Sequence, residues 1–237
     1  IYNSDVHSDS YIRLSAEDTS IIDAQTYGFS LAAGVSTGKG SGGALSVGVS
    51  LAYNTIDTNL LAYIEDSEVS NQSALTISAS SLTAISAVSV AASVAAGYSK
   101  NSSALALSGG GAEAKNTILS NVSAYAQNSE IDSDAGVNLT ALSTADIDAS
   151  VIAAAVSVAI ASSKSAGSAS IGASRARNYI GDGLEHGLVQ AYVTHSAITT
   201  TGDLSVSATA QQNLDVLVGS ASEAFSLVKV ALWFPRS

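Results

Sequence analysis

Three carboxylates recur at one position of the chain: Asp5, Glu68 and Glu130. Aligning Ile12, Leu75 and Val137 brings them into one row, which Ala197 breaks. Paired carboxylates are the machinery of glycoside hydrolysis. One group, its pKa raised by burial, acts as acid, and the other acts as base or nucleophile. With members two coils apart the row predicts a separation of roughly 10 Å, near the upper end of the ~6.5–9.5 Å of inverting enzymes. A fourth carboxylate, Glu185, stands with Asp182 and His186 in "GDGLEHG" at 181–187, a loop-like insertion of the kind that carries function. A second acidic row, Asp23, Asp148 and Asp215, is interrupted by Ser86. Acid rows also have a plain role: they keep a flat sheet from pairing with its neighbours.

The binding candidates are aromatic. Tyr63, Tyr125 and Tyr192 each follow an alanine in matching contexts, "NLLAY", "NVSAY" and "LVQAY". With the apolar set of each stretch facing a core, the tyrosines stand outside in one row. An exposed aromatic row can stack against sugar rings, and it can equally cover a neighbouring loop.

Other motifs carry little. "GKGSGG" at 38–43 fits a dinucleotide fingerprint, but that motif must open a helix. "ALSVGVSLAY" follows instead, and it alternates like a strand. "GVSTG" at 34–38 fits a nucleophile elbow around Ser36, which needs a strand-to-helix turn and a histidine partner. Only His7, His186 and His195 exist. Asp132 and Asp134 in "IDSDAG" make at most a loose cation turn, and no histidine pair or calcium nonapeptide is present. Neither a metal nor any cofactor is expected.

The elements that would position these residues are repeats. Asn54, Asn116 and Asn178 head "NTI", "NTI" and "NYI" at spacings of 62 residues. "IRLSA", "LTISA", "NLTA" and "LSVSA" recur on the same frame, and the Ala-Tyr pairs follow it with five extra residues before the last. Self-similarity at this scale marks a stacked-repeat architecture. Leu75, Ile77 and Ala79 alternate with polar residues, and Val156, Val158 and Ile160 alternate with small ones. Period two is the strand signature. The Ala-rich blocks at 86–96 and 151–162 suit helices on propensity, but interleaved Ser and β-branched residues favour strands. The fold expected is all-β: a right-handed parallel β-helix, with each 62-residue repeat split into two coils of roughly 31 residues, seven or eight coils in all. The asparagines are expected to form an inward amide column.

Composition narrows the function. The chain has 237 residues, of which 46 % are hydrophobic but only 5 % aromatic and 12 % charged, so its surface is neutral and polar. A net charge of −11 argues against nucleic acid and against anionic membranes, and no run is long enough for a helical span. Without cysteine there is no disulfide framework. The absence of an N-terminal signal suggests a mature piece or part of a longer chain. From Phe225 the composition shifts to "FSLVKVALWFPRS", which suggests a cap over the last coil or a foreign tail, with Trp233 and Phe234 against that coil. Residues 1–224 would be a single β-helix domain.

The "NTI", "AY", "SE(V/I)" and "LTISA" elements, with the block ending "GGGAEAKNTI", resemble repeats of very large bacterial secreted or surface proteins of the filamentous-haemagglutinin-like or adhesin type. The resemblance covers nearly the whole chain to about residue 224. It implies a β-helical rod outside the cell and transfers no catalytic residue. Two functions follow as expectations. The first is a structural and interaction module at the cell surface, contacting polysaccharide or glycan, with no nucleic acid and no membrane insertion. The second is a glycoside hydrolase or polysaccharide lyase working through Asp5, Glu68, Glu130 or Glu185.

Overall fold

Runs of 24 or 25 residues alternate without a break, and each run forms a single strand. The computed structural model describes residues 1–181 and 186–229. Its first turn holds β1 (Asp5–Ser8), β2 (Ile12–Ser36) and β3 (Gly42–Glu65). The second holds β4 (Glu68–Asn71), β5 (Leu75–Ser99) and β6 (Ala104–Gln127). The third holds β7 (Glu130–Ser133), β8 (Val137–Ala161), β9 (Ala166–Ile180) and β10 (Val189–Thr194). A further turn begins with β11 (Ala197–Thr200) and β12 (Leu204–Val228). The Ala-rich blocks lie within β5 and β8.

These strands stack into three parallel sheets: a short wall β1-β4-β7-β11, a long sheet β2-β5-β8-β12, and a second long sheet in which β6 pairs β3 on one side and β9 and β10 on the other. The molecule is a parallel β-solenoid. Ile12 pairs directly with Leu75, and Leu75 with Val137. Each 62-residue unit is therefore one coil, which corrects the expected pair of 31-residue coils. The coils are half as many as expected, and each is twice as wide. Long unbroken alternation gives the physical reason: period two runs the length of β5 and continues through Gly109, Gly110 and Gly111 of β6, so neither strand bends back on itself. The five-residue insertion interrupts the ladder after Ile118 with Ile180, and pairing resumes on the shifted frame at Val122 with Val189. β12 stays paired with β8 through Val228, so the regular strand passes the expected boundary at 224. Trp233 and Phe234 lie outside the described residues.

One corner of the coil has its own signature. Asn3, Asp66, Asn128 and His195 all adopt positive φ, from 48° to 51°, and they occupy equivalent places just before the short wall. Asn, Asp and His are the residue types that most readily enter this left-handed region. A serine follows each one. The hydroxyls of Ser67, Ser129 and Ser196 accept from the backbone N–H of Ser4, Ser67 and Ser129 on the coil before, at 3.1, 3.1 and 3.0 Å. These turn amides, of which those of Ser67 and Ser129 belong to buried residues, are thereby satisfied coil after coil.

The interior narrows away from that corner. Beside the short wall it is filled by Leu75, Ile77, Val122, Ile131, Val137 and Leu139, all fully buried. Midway it holds Ile85, Ile118 and Ile147 among alanines. At the far end only alanine remains in the apolar core. There the two long sheets meet with backbone almost on backbone. A Cβ added at Gly97 would lie 2.4 Å from the Leu105 carbonyl oxygen, and one at Gly110 would lie 2.5 Å from that of Ala154. Each coil is thus a wedge: three walls at the base, then a thin two-sheet blade.

Serine hydroxyls stitch the blade internally. Ser93 Oγ donates to the Ser46 carbonyl at 2.9 Å, and Ser89 Oγ to the Ser50 carbonyl at 3.0 Å. The buried hydroxyls of Ser108 and Ser157 have no hydrogen-bond partner. An unpaired buried hydroxyl is a net cost, so Ser157→Ala should keep or raise stability by up to about 1 kcal/mol, while Ser93→Ala should lower it by about 1 kcal/mol. Parallel thermal melts of the two variants check the contrast.

Candidate functional site

Each row inferred from the sequence exists. Asp5 pairs with Glu68, Glu68 with Glu130, and Glu130 with Ala197. Their spacing is not the expected one. Successive members sit on adjacent coils, about 4.8 Å apart along the stack, rather than two coils apart. All three are exposed on the short wall, where no facing element encloses them. Like charges one rung apart on an open wall repel each other mildly through water, and nothing there buries one of them to make an acid. Asp23, Ser86, Asp148 and Asp215 also fall in one row, with the three aspartates exposed. Glu185 and Asp182 lie outside the described residues.

The tyrosines form the expected row, but they spend their faces on one another. Tyr63 and Tyr125 stack with ring centroids 5.1 Å apart and planes 7° from parallel. Tyr125 and Tyr192 stack at 5.0 Å and 2°. The Tyr125 hydroxyl donates to Glu65 at 3.3 Å. Burial, reinforced by the Glu65 charge, pushes the Tyr125 pKa up to about 12. The faces between stacked rings are taken, so a sugar would meet ring edges, hydroxyls and the outer faces of Tyr63 and Tyr192. Offset stacking of this kind adds stability beyond area burial.

The asparagine column is also present. Asn54 Nδ2 donates to Asn116 Oδ1 at 2.8 Å, and Asn116 Nδ2 donates to Asn178 Oδ1 at 2.9 Å. Asn116, in the middle, is fully buried.

The weaker motifs fall on strand ends and turns. Ser36 ends β2 and its hydroxyl donates to the Gly40 carbonyl, while "GKGSGG" leads into β3, a strand. Asp132 and Asp134 are exposed. Among the described residues no three His, Asp or Glu side chains converge on a point that could hold a metal ion.

Two features were not anticipated. The first is an ion pair on the outer face of the second long sheet. Arg177 on β9 pairs with Glu113 on β6, and Tyr53 on β3 donates to the same carboxylate at 3.3 Å. The Arg177 hydrogen bond holds the Glu113 carboxyl below the usual carboxylate range, partly opposed by burial. Beside it lies a shallow hollow of about 220 Å³, lined by Val49, Gly111, Glu113 and Ala173. It exists because Gly111 leaves β6 bare between Val49 on one side and Ala173 on the other. The register predicts this cluster only once 62 residues are known to be a single rung.

The second feature is the blade's outer surface. In "YGFSLAAGV" at 27–35 the small residues face inward and Tyr27, Phe29, Leu31 and Val35 face water, 57–78 % exposed. On the opposite sheet Leu45, Val47 and Val49 are exposed likewise. Alternation was legible, but its direction was not: usual burial preferences would turn the large residues inward.

A scan of protein-family models finds no match for the chain, and a search of curated proteins finds none. Function rests on the geometry of the rungs.

Proposed function

We propose that the chain is a rigid solenoid section of a larger extracellular, adhesin-like protein, acting as a structural and interaction module. One observation supports this best: like residues stack on like in the two best-formed rows, Asn54–Asn116–Asn178 and Tyr63–Tyr125–Tyr192. Interactions that repeat with the rung stiffen a stack of any length, which suits a spacer. Catalysis, by contrast, needs one unique constellation in which unlike groups converge in a cleft. The carboxylate row is open and repetitive, so the hydrolase or lyase reading has less support.

The test is a panel of polysaccharides, scored for retention and for release of reducing ends. No cleavage is expected from the wild-type chain, and Glu68→Gln with Glu130→Gln should behave identically. Cleavage that these substitutions abolish would sink the proposal.

A further inference from the structure

The blade is built inside out. Facing inward, "YGFSLAAGV" at 27–35, "VAASVAAGY" at 90–98 and "IAAAVSVAI" at 152–160 contribute only Gly, Ala and Ser. Facing outward, the same stretches contribute only Ala, Val, Leu, Ile, Phe and Tyr. On the fourth rung "GSASEAFSL" at 219–227 keeps the pattern except for Glu223. The second long sheet keeps the inward half in "GALSVGV" at 43–49, "LALSGGG" at 105–111 and "GSASIGA" at 167–173, and its outward positions there are apolar or, at Gly43, Gly109, Gly111 and Gly167, bare glycine. The two apolar faces lie back to back, because Gly28 meets Val49 and Gly34 meets Gly43 across the interior.

We propose that this blade enters the hydrocarbon of a lipid bilayer. Four observations converge on lipid rather than on another protein. Both faces are apolar, whereas a partner docked on one face would leave the other in water. Serines inside bond across the gap between the sheets, as Ser46 Oγ does to Ser30 Oγ at 2.8 Å and Ser93 Oγ to the Ser46 carbonyl at 2.9 Å, and only the Ser108 and Ser157 hydroxyls are buried there without a partner among the described residues. The apolar band of β2 runs nine residues, from Tyr27 to Val35. At about 3.3 Å per residue it extends for roughly 30 Å, the thickness of a bilayer's hydrocarbon core. The band is also bordered as membrane-embedded strands are. Tyr27 marks its inner limit on β2, and Tyr98, paired with Val35, marks the outer one on β5. Beyond it each tip turn carries a lysine and no acid: Lys39, Lys100 and Lys164, with Lys229 just after β12. Lysines there suit anionic headgroups.

This goes beyond the spacer reading and reverses the expectation drawn from net charge. The acidic residues gather at the base, and the blade and its tip carry almost none. Backbone groups within the stack are paired rung to rung. The open edges at β2 and β3 at one end and at β9 and β12 at the other would be costly in hydrocarbon, so inserted copies are expected to join end to end.

Flotation with vesicles tests the proposal. The purified chain is mixed with phosphatidylcholine vesicles, with or without phosphatidylglycerol. The wild-type chain should float with both and at least tenfold more strongly with the anionic ones. Leu31→Asp with Val47→Asp, at exposed positions, should keep the far-UV spectrum and lose flotation at least tenfold. Lys39→Gln with Lys100→Gln and Lys164→Gln should lose only the anionic preference. Failure of the wild-type chain to float with either vesicle overturns the proposal, as does flotation untouched by the aspartates. Should the chain instead self-associate without lipid, fail to float, and become monomeric with the aspartates, the faces belong to a second copy.

Discussion

Gly110→Leu is expected to be among the most damaging single changes in the chain, costing about 3 kcal/mol or more. Gly110 sits on β6, a strand paired on both sides, and faces inward where the two long sheets nearly touch. Its Cβ would lie 2.5 Å from the Ala154 carbonyl oxygen and 3.1 Å from the carbonyl carbon. Those atoms belong to a backbone held in its own ladder, so they cannot swing aside as a flexible side chain can. The sheets must part, and the serine bonds between them stretch with the gap. Gly111 provides the control. It faces outward with nothing within 4 Å of an added Cβ, so Gly111→Ala should shift stability by under about 0.5 kcal/mol. Thermal unfolding followed by far-UV circular dichroism separates the two. Equal effects would mean that the interior is wider than described.

The second large effect is expected at Asn116. Asn116→Asp is nearly isosteric, yet it replaces the donor that serves Asn178 with an oxygen facing an oxygen. The new carboxyl is fully buried and no cation lines the column, so desolvation raises its pKa. The sign follows. Where the carboxyl is ionised, a buried charge opposes folding, and protonation relieves it. Stability should fall by about 3 kcal/mol at neutral pH and recover in part as the pH drops through the raised pKa. Denaturant melts at pH 4 and pH 8 measure the difference. A variant equally stable at both would show that the amide column is open to water.

Much of this architecture was legible because a solenoid repeats its letters. The equal spacing of Asn54, Asn116 and Asn178 gave the register, and with it the tyrosine and carboxylate rows. The number of coils was not legible. A repeat length fixes only the sum of the coils it contains, and four apparent runs per unit suited two small coils as well as one broad one. Only the unbroken alternation through 75–99 and 104–127, carried even across Gly109, Gly110 and Gly111, argues for the broad coil. The corner pairs Asn3-Ser4, Asp66-Ser67, Asn128-Ser129 and His195-Ser196 were visible, but their common backbone conformation was not. The blade was hardest to foresee. Period two assigns side chains to two faces without naming the inner one, and here the small residues took it because only they fit between sheets this close.

The breadth of each coil has a consequence for how the molecule forms. Every bond between neighbouring rungs joins residues some sixty positions apart, as Ile1 does with Tyr63. Closing a loop of that size costs chain entropy before any contact rewards it, and such topologies fold slowly. The first two rungs must meet together. Every later one docks on a finished template, in the order in which the chain emerges. Assembly should therefore have a single slow start followed by rapid zippering, and a chain interrupted midway would keep the rungs already laid down.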